Sequence, residues 1–256
     1  MGSHRPIDQA QHLPKVESIL LSATPILTFQ GSQGLTNASG FFFERDERLF
    51  LVTSRHVMID EASKHYPDRI EIALHCDPEN LAQATGFSIP LYQKRESVWR
   101  QGVDSAGGID VAVIEIERPA LPEKAFLLPF GPPHLIDRHG AVEVGSPVLI
   151  VGFPLGFQDH LHHMPIVRQA IVASSFGLRF QGEGYFLTDA RTHRGSSGAP
   201  VVMRVAEPGA DIQELPWRLL GVHSARLDVG RDLERDEALG LNCAWYADIL
   251  MTLTQG

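Results

Sequence analysis

Residues 40–53 read GFFFERDERLFLVT, in which two apolar runs flank a charged turn. Aromatic and branched side chains on both sides of a short polar turn are typical of a β-hairpin. Similar short runs recur along the chain at 69–74, 110–116, 148–151, 166–172, 185–188, 199–202 and 218–222. Because these runs are short, separated by turn residues and not interleaved with helical segments, they predict an all-β barrel or sandwich and disfavour a doubly wound α/β sheet.

Prolines and hydrophobic spacing indicate where the chain divides. Prolines concentrate between residues 117 and 144, which places a linker between two strand-rich halves. Apolar residues at helical spacing near the end predict a C-terminal helix, whereas residues 16–27 fit a strand or a helix equally well. The predicted division is a cloning remnant and N-terminal extension over 1–14, a first half over 15–120, a linker over 121–144, a second half over 145–243 and the helix over 244–256.

Composition and charge exclude several classes of protein. The 256 residues are 43% hydrophobic and 21% charged, which is ordinary for a globular protein with a buried core. The net charge is −9 and no basic stripe is present, so nucleic acid is not an expected partner. No run of about 18 apolar residues occurs, so no membrane span is expected. Cys76 and Cys243 lie in different halves and no signal peptide is visible, which favours a reducing, cytoplasmic compartment.

The segment 195–200, GSSGAP, has the composition of a turn that presents a nucleophilic serine. A serine hydroxyl needs a neighbouring base to attack a carbonyl, and the oxyanion that forms needs hydrogen-bond donors. Glycines around Ser197 allow the backbone to turn so that successive N–H groups point into one concavity. The predicted donors are the main-chain N–H groups of Gly195 and Ser197. Taken alone, the same six residues also fit a surface turn rich in glycine and serine.

A histidine and an aspartate stand at the ends of predicted strands. His56 follows the apolar run 49–53, where the chain leaves the sheet and faces a cleft. Asp110 opens the hydrophobic run 110–116, and a buried carboxylate is costly unless it accepts a hydrogen bond, for which a histidine N–H is a suitable donor. Such a carboxylate fixes the imidazole tautomer and stabilises the imidazolium formed during attack. Taken singly, the two residues also fit an idle histidine and a solvated aspartate.

The order His56, Asp110, Ser197 resembles the catalytic set of the chymotrypsin-like serine peptidases, with the resemblance extending over residues 35–250. It implies two packed antiparallel six-stranded β-barrels with the active site between them, His56 and Asp110 belonging to the first barrel and Ser197 to the second. It also implies a serine endopeptidase that cleaves protein or peptide substrates through an acyl-enzyme on Ser197. The segments 151–156, 187–190 and 239–244 are similar to the bacterial HtrA-type branch.

The resemblance carries an expectation about substrate. Substrates of this fold pair as an added β-strand, and the matching edge here is Ser224, Ala225 and Arg226. His223 and Thr192 stand where the related glutamyl endopeptidases bind the carboxylate of P1, the residue on the acyl side of the cleaved bond. A P1 glutamate is therefore expected. The alternatives are another acidic or amide P1 residue, or a packed core histidine at His223.

The remaining patterns bear on an alternative function and on metals, cofactors and oligomeric state. A protease fold that is catalytically silent, or active only with a partner, would serve as a binding scaffold and is the main alternative. No metal is predicted, because the possible ligands Asp159, His160, His162 and His163 have no second cluster to complete a site and fit a solvated loop better. No phosphate-binding glycine motif lies between a strand and a helix, so no cofactor is predicted. No feature indicates an oligomeric state.

Overall fold

A computed structural model of the protein describes residues 16–136, 142–205, 214–226 and 240–256. Antiparallel strands dominate these ranges, as the sequence predicts. The first half contains β1 (Ala23–Gln30), β2 (Gln33–Arg45), β3 (Arg48–Thr53), α1 (Arg55–Met58), β4 (Arg69–His75), β5 (Ala84–Pro90), β6 (Tyr92–Gln93), β7 (Glu96–Ser97), β8 (Trp99–Asp104) and β9 (Gly107–Ile116). The second half contains β10 (Pro147–Gly152), β11 (Ile166–Ile171), β12 (Tyr185–Thr188), β13 (Pro200–Arg204), β14 (Trp217–Arg226), β15 (Asn242–Tyr246) and α2 (Leu250–Leu253). Short 3-10 turns lie at Ser18–Leu21, Arg118–Ala120, Pro132–His134, Pro154–Gly156, Phe180–Gly182 and Ala247–Ile249.

The predicted hairpin is formed by β2 and β3. Asp46 and Glu47 at its tip have φ angles of 52° and 64°, the left-handed conformation that a tight two-residue hairpin turn requires at both central positions. Phe43 pairs with Phe50 across the hairpin, and both side chains are fully buried. The charged turn thus faces solvent while the aromatic runs build the core, and β2 occupies the centre of the first sheet.

The first barrel has seven strands, one more than the six that the resemblance implies. Its order is β5-β4-β1-β2-β3-β9-β8, with β5 bonded to β4 and β8 bonded to β9. The small hairpin β6–β7 interrupts the chain between β5 and β8. The N–H of Val98 donates to the carbonyl of Leu91 at 3.0 Å, which closes the base of this excursion. β5 and β8 are therefore the two end strands of this order, and the hairpin lies between them in the chain.

The second barrel has the six strands that the resemblance implies, in the order β11-β10-β13-β14-β15-β12, with β15 replacing part of the predicted helix. An antiparallel bridge between Val172, just after β11, and Thr188 in β12 joins the two edges of this order. The double-barrel fold expected from the resemblance is therefore confirmed. Among the described residues, no helix combines the length and the apolar character needed to cross a membrane.

The segment after β9 crosses from one barrel to the other. Phe126 forms a bridge with His75 and Phe130 with Phe43 in the first barrel, and Leu135 then forms a bridge with Leu219 in the second. One hydrophobic core lies between the barrels, with contributions from both. It includes Phe41, Phe43, Phe50, Val151, Phe153, Val222 and Trp245. This shared core fixes the two barrels against each other, so side chains at their common edge keep a defined geometry.

The C-terminal helix is shorter than predicted. Residues 244–246 belong to β15, where Trp245 pairs with Tyr185 on one side and with Val222 on the other. Backbone pairing with two neighbouring strands overrides the helical spacing of the apolar residues. Helix α2 follows only at Leu250–Leu253, and its buried leucines pack on the core between the barrels. At the other end, the ambiguous stretch 16–27 forms a 3-10 turn and the start of β1.

Candidate active site

His56 and Asp110 meet at the edge of the first barrel. Helix α1 begins immediately after β3, and β9 pairs with β3, so Asp110 lies beside the start of the helix. The main-chain N–H of His56 donates to Asp110 Oδ1 at 2.8 Å, and His56 Nδ1 lies 2.7 Å from Asp110 Oδ2. Two hydrogen bonds from one residue to one carboxylate fix both the backbone and the ring. The second ring nitrogen is therefore left as the proton acceptor.

The surroundings of His56 favour its protonated form. Burial opposes protonation most strongly, but the hydrogen bond and charge of Asp110, together with the charge of Asp60, outweigh it and raise the pKa of His56 above its ordinary value of 6.5. The hydroxyl of Ser63 and the N–H of Ala62 donate to Asp60. The Ser63 hydrogen bond is the main reason that the pKa of Asp60 lies below its ordinary value. A second negative charge is thus held near the base.

Ser224 links the nucleophile to the carboxylate. Its hydroxyl donates to Asp110 Oδ2, and its main-chain carbonyl accepts a hydrogen bond from Ser197 Oγ at 3.0 Å. The hydroxyl of Ser197 is therefore bonded to Ser224 and not to His56. His56, Gly195 and Ser197 all line one cavity of about 500 Å³, which Asp60 and Arg194 also border. Two of the three predicted catalytic residues, His56 and Ser197, thus line one cleft, and Asp110 is bonded to His56, while the serine hydroxyl is turned toward Ser224.

The turn that carries Ser197 requires glycine at two positions. Gly195 has a φ of 92° and Gly198 a φ of 85°, a region that side chains disfavour. A Cβ on Gly195 would lie 2.6 Å from the carbonyl oxygen of Phe153, and one on Gly198 would lie 2.1 Å from Thr53 Oγ1. The turn is therefore folded too tightly against both barrels to accept a side chain at either position.

Two amides of this turn are free to bind an oxyanion. The N–H of Ser196 donates to the carbonyl of His193 at 3.1 Å, and the N–H of Gly198 donates to the carbonyl of His223 at 2.7 Å. Within the described ranges, by contrast, neither the N–H of Gly195 nor that of Ser197 donates to another residue. These are the two donors that the sequence predicts, and both residues border the cavity of His56.

The predicted specificity residues occupy two separate environments. Thr192 is buried, and its hydroxyl lies 2.6 Å from Oδ1 of the fully buried Asn242, whose amide group donates to the carbonyl of Ala190. His223 is 2% exposed, and its Nδ1 has no hydrogen-bond partner among the described residues. Burial first, and then the charge of His56, lower the pKa of His223 to about 4, so its ring is neutral at neutral pH. No hydrogen bond joins Thr192 to His223.

The predicted substrate-binding edge lies at an irregularity of β14. The pairing of β14 with β15 shifts register between His223 and Arg226, which is the signature of a β-bulge. Such a bulge leaves the main chain around Ser224 and Ala225 out of the regular ladder. The roles of Ser224, Ala225 and Arg226 in binding substrate stay predictions, because the side chains of Ala225 and Arg226 lie outside the described part of the chain.

Asp60, Asn242 and the hydroxyl of Ser224 were not predicted to act at the site. Asp60 lies four residues after His56, and a carboxylate at that spacing is a signal that it shares the environment of the histidine. Asn242 and Ser224 join the site through contacts between distant strands, which sequence spacing does not reveal. The loop residues Asp159 and His162, considered as possible metal ligands, are half exposed and bonded to each other at 2.7 Å.

The chain is similar to known proteins in its sequence family and in its fold. The profile of the trypsin-like peptidase domain matches residues 38–207. The search of curated proteins gives no match. Among solved structures, the serine endoprotease from Yersinia pestis is similar, with a TM-score of 0.55 and 18% sequence identity over 92% of this chain and 62% of that one. At this identity the structural match shows the fold alone, and this chain spans less than two thirds of the length of that one.

Proposed function

Since the chain belongs to the trypsin-like peptidase family, we propose that it is an active serine endopeptidase that forms an acyl-enzyme on Ser197. The family match covers the larger part of the chain and confirms the resemblance predicted from the sequence, and it makes protein or peptide the substrate class. The observation that carries the proposal is the 2.7 Å contact between His56 Nδ1 and Asp110 Oδ2 in the cleft that Ser197 also lines.

The proposed reaction uses this chain's residues in four roles. Ser197 Oγ leaves the carbonyl of Ser224, donates to the free ring nitrogen of His56 and attacks the substrate carbonyl. Asp110 stabilises the imidazolium, and the N–H groups of Gly195 and Ser197 bind the oxyanion. His56 then protonates the leaving amine. Water, deprotonated by His56, hydrolyses the acyl-enzyme in the reverse sequence.

Peptide-library cleavage tests the proposal. The purified protein is incubated with a mixture of unstructured peptides, and the products are identified by mass spectrometry. We expect cleavage by the wild-type chain and none by Ser197→Ala purified in the same way, which excludes a contaminating protease. Equal cleavage by both proteins, or none by either, would reject the assignment of Ser197 as the nucleophile of an active enzyme.

We further propose a preference for glutamate at P1. The support is chemical: the neutral imidazole of His223 carries an N–H donor of the kind that binds a carboxylate, and Thr192 carries a hydroxyl that would have to leave Asn242 Oδ1 to donate as well. The same library reports this choice through the residues on the acyl side of the cut bonds. We expect peptides with P1 Glu to be cleaved at least tenfold faster than matched peptides with P1 Leu, and Gln to lie between them. Fastest cleavage after apolar residues would reject the preference and leave the peptidase proposal intact.

One observation favours a second candidate, a peptidase that is silent until a partner acts on it. The hydroxyl of Ser197 is bonded to Ser224 rather than to His56, which is the arrangement expected of a resting site. This candidate predicts no library cleavage by the isolated chain and cleavage after addition of cell extract, with Ser197→Ala inactive in both conditions. Cleavage by the isolated chain rules this candidate out.

A further inference from the structure

The N–H, the carbonyl and the hydroxyl of Ser39 in β2 all form hydrogen bonds, either with the turn that carries Ser197 or with Phe153 and Thr53, which pack against that turn. The residue is fully buried. Its main-chain N–H donates to the carbonyl of Ser197 at 2.9 Å, and its Oγ donates to the carbonyl of Gly195 at 2.7 Å. The same Oγ accepts from the N–H of Phe153 at 2.9 Å, and the carbonyl of Ser39 accepts from Thr53 Oγ1 at 2.7 Å. One residue of the first barrel therefore contacts both predicted oxyanion residues of the second.

The packing around Ser39 is fitted to its hydroxyl. A Cβ on Gly152 would lie 2.6 Å from Ser39 Oγ, and a Cβ on Gly198 would lie 2.2 Å from the carbonyl oxygen of Ser39. Separations under about 3 Å between such atoms leave no room for an added methyl group. Two glycines from separate segments thus leave the space that this serine and its hydrogen bonds occupy.

The hydrogen bonds of Ser39 hold the carbonyls of Gly195 and Ser197, and so fix the peptide group that follows each of these two residues. In a trans peptide the carbonyl and the next N–H point in opposite directions, so the orientation of one sets that of the other. The carbonyl of Arg194 is held by the N–H of Leu155 at 2.6 Å, which orients the N–H of Gly195. Glycine rotates more freely about its backbone bonds than any other residue. The hydrogen bond from Ser39 Oγ to the carbonyl of Gly195 fixes the peptide group that follows Gly195, so the peptide groups on both sides of this glycine are held.

We infer that Ser39 is a positioning residue: by fixing the peptide groups that follow Gly195 and Ser197, it limits the rotation of these two residues and so keeps their N–H groups directed toward the oxyanion. The inference rests on the proposed peptidase function. Its consequence is that the first barrel supplies His56 and Asp110 and also the orientation of the oxyanion donors, although the donors belong to the second barrel. Loss of the hydroxyl should weaken binding of the transition state more than binding of the substrate, because the oxyanion exists only in the former.

The Ser39→Ala variant tests the inference through the division between kcat and KM. Removing an oxyanion donor outright costs about 10²- to 10³-fold in kcat, so misdirecting one is expected to lower kcat by about 10- to 100-fold, with KM within about threefold. Ser22→Ala is the matched control. Ser22 is equally buried and its hydroxyl donates to the carbonyl of Ile19 at 2.7 Å, remote in sequence from the turn. We expect Ser22→Ala to lose comparable thermal stability and to keep kcat.

Two further measurements keep the inference testable if Ser39→Ala folds poorly or the wild-type chain is inactive. Ser39→Cys preserves the shape and leaves only a weak donor, so its kcat should fall between those of wild type and Ser39→Ala. Amide hydrogen exchange of a peptide covering residues 193–198 should be faster in the Ser39 variants than in wild type or Ser22→Ala, whether or not the protein turns over. Unchanged exchange, or an equal fall in kcat for Ser39→Ala and Ser22→Ala, would overturn the inference. Absent cleavage by wild type with faster exchange in the variants would instead count against the peptidase proposal alone.

Discussion

The hydroxyl of Ser197 donates to the main-chain carbonyl of Ser224, with 3.0 Å between the two oxygens. Ser224 in turn donates from its own hydroxyl to Asp110, the carboxylate that holds His56. A single residue of β14 thus contacts the nucleophile through its backbone and the carboxylate through its side chain. The two contacts can be tested separately, because a side-chain substitution at Ser224 removes the hydroxyl contact with Asp110 and leaves the backbone contact with Ser197 in place.

Ser224→Ala is therefore expected to impair catalysis without removing the resting contact of Ser197. A hydrogen bond to a charged group contributes about 1.5–3 kcal/mol, so poorer orientation of Asp110 should lower kcat/KM by about tenfold or more. Steady-state kinetics on a peptide found in the library measure this. Ser174→Ala is the control, since the hydroxyl of Ser174 accepts a bond from Leu187 N–H in the second barrel and makes no hydrogen bond to Asp110. An unchanged kcat/KM in Ser224→Ala would show that Asp110 needs no support from this hydroxyl.

The pH dependence of kcat/KM reports the charge near His56. The base must be neutral to accept the proton of Ser197, and its pKa is raised, so kcat/KM should rise with pH along a limb whose midpoint lies above 6.5. Asp60→Asn removes one of the charges that favour protonation and should move this limb to lower pH while the high-pH plateau persists. The control is Glu79→Gln, which removes the same charge from an exposed residue lining a different cavity. A limb that stays in place in Asp60→Asn, or moves equally in both variants, contradicts this account.

His223 predicts a pH dependence of stability. Above pH 6.5 the ring is neutral in the folded and the unfolded chain, so it contributes nothing. As the pH falls from about 6.5 to about 4, the unfolded chain takes up a proton that the folded chain does not, which lowers the free energy of unfolding by roughly 3 kcal/mol over that window. Urea unfolding at several pH values should show this loss in wild type and in the exposed-residue control His160→Gln, but not in His223→Gln. Parallel curves for all three proteins would mean that His223 is protonated in the folded state.

Gly198→Ala should be among the most damaging single substitutions in the chain. A methyl group there would lie 2.1 Å from Thr53 Oγ1, and the alanine would have to keep the positive φ of this position, which costs about 1–2 kcal/mol by itself. We expect the free energy of unfolding to fall by at least ~3 kcal/mol, as measured by urea denaturation. Gly86→Ala in β5 is the control, because a Cβ there meets nothing within 4 Å. Near-wild-type stability of Gly198→Ala would show that the turn relaxes more easily than its packing indicates.

The sequence predicted those strands whose apolar runs are dense enough to recognise alone. The run 49–53 carries His56 to the barrel edge, and 110–116 places Asp110 beside it, so the order of the chain was enough to predict this part of the site. β5 was not predicted, because Ala84–Pro90 has few apolar side chains and its strand conformation comes from pairing with β4. Residues 244–246 were assigned to a helix because spacing does not report backbone pairing with two neighbouring strands.

The residues that support the site cannot be predicted from the spacing of residues in the sequence. Ser39 and Gly195 are 156 positions apart, and the hydroxyl of Ser224 reaches Asp110 across 114. Such contacts arise from the way one barrel packs on the other, and nothing in either local sequence indicates the partner. The cytoplasmic location and the division into 1–14, 15–120, 121–144 and 145–243 stay predictions.

Covalent labelling tests the convergence of His56, Asp110 and Ser197 most directly. A fluorophosphonate reacts with a serine hydroxyl that a neighbouring base activates and an oxyanion site assists, and intact-protein mass spectrometry counts the adducts. Wild type and Ser196→Ala, the adjacent-serine control, should each gain one adduct, mapped by peptide sequencing to Ser197, and folded Ser197→Ala should gain none. An adduct of equal yield in Ser197→Ala, or none in a wild-type chain that has been shown to fold, would contradict the account.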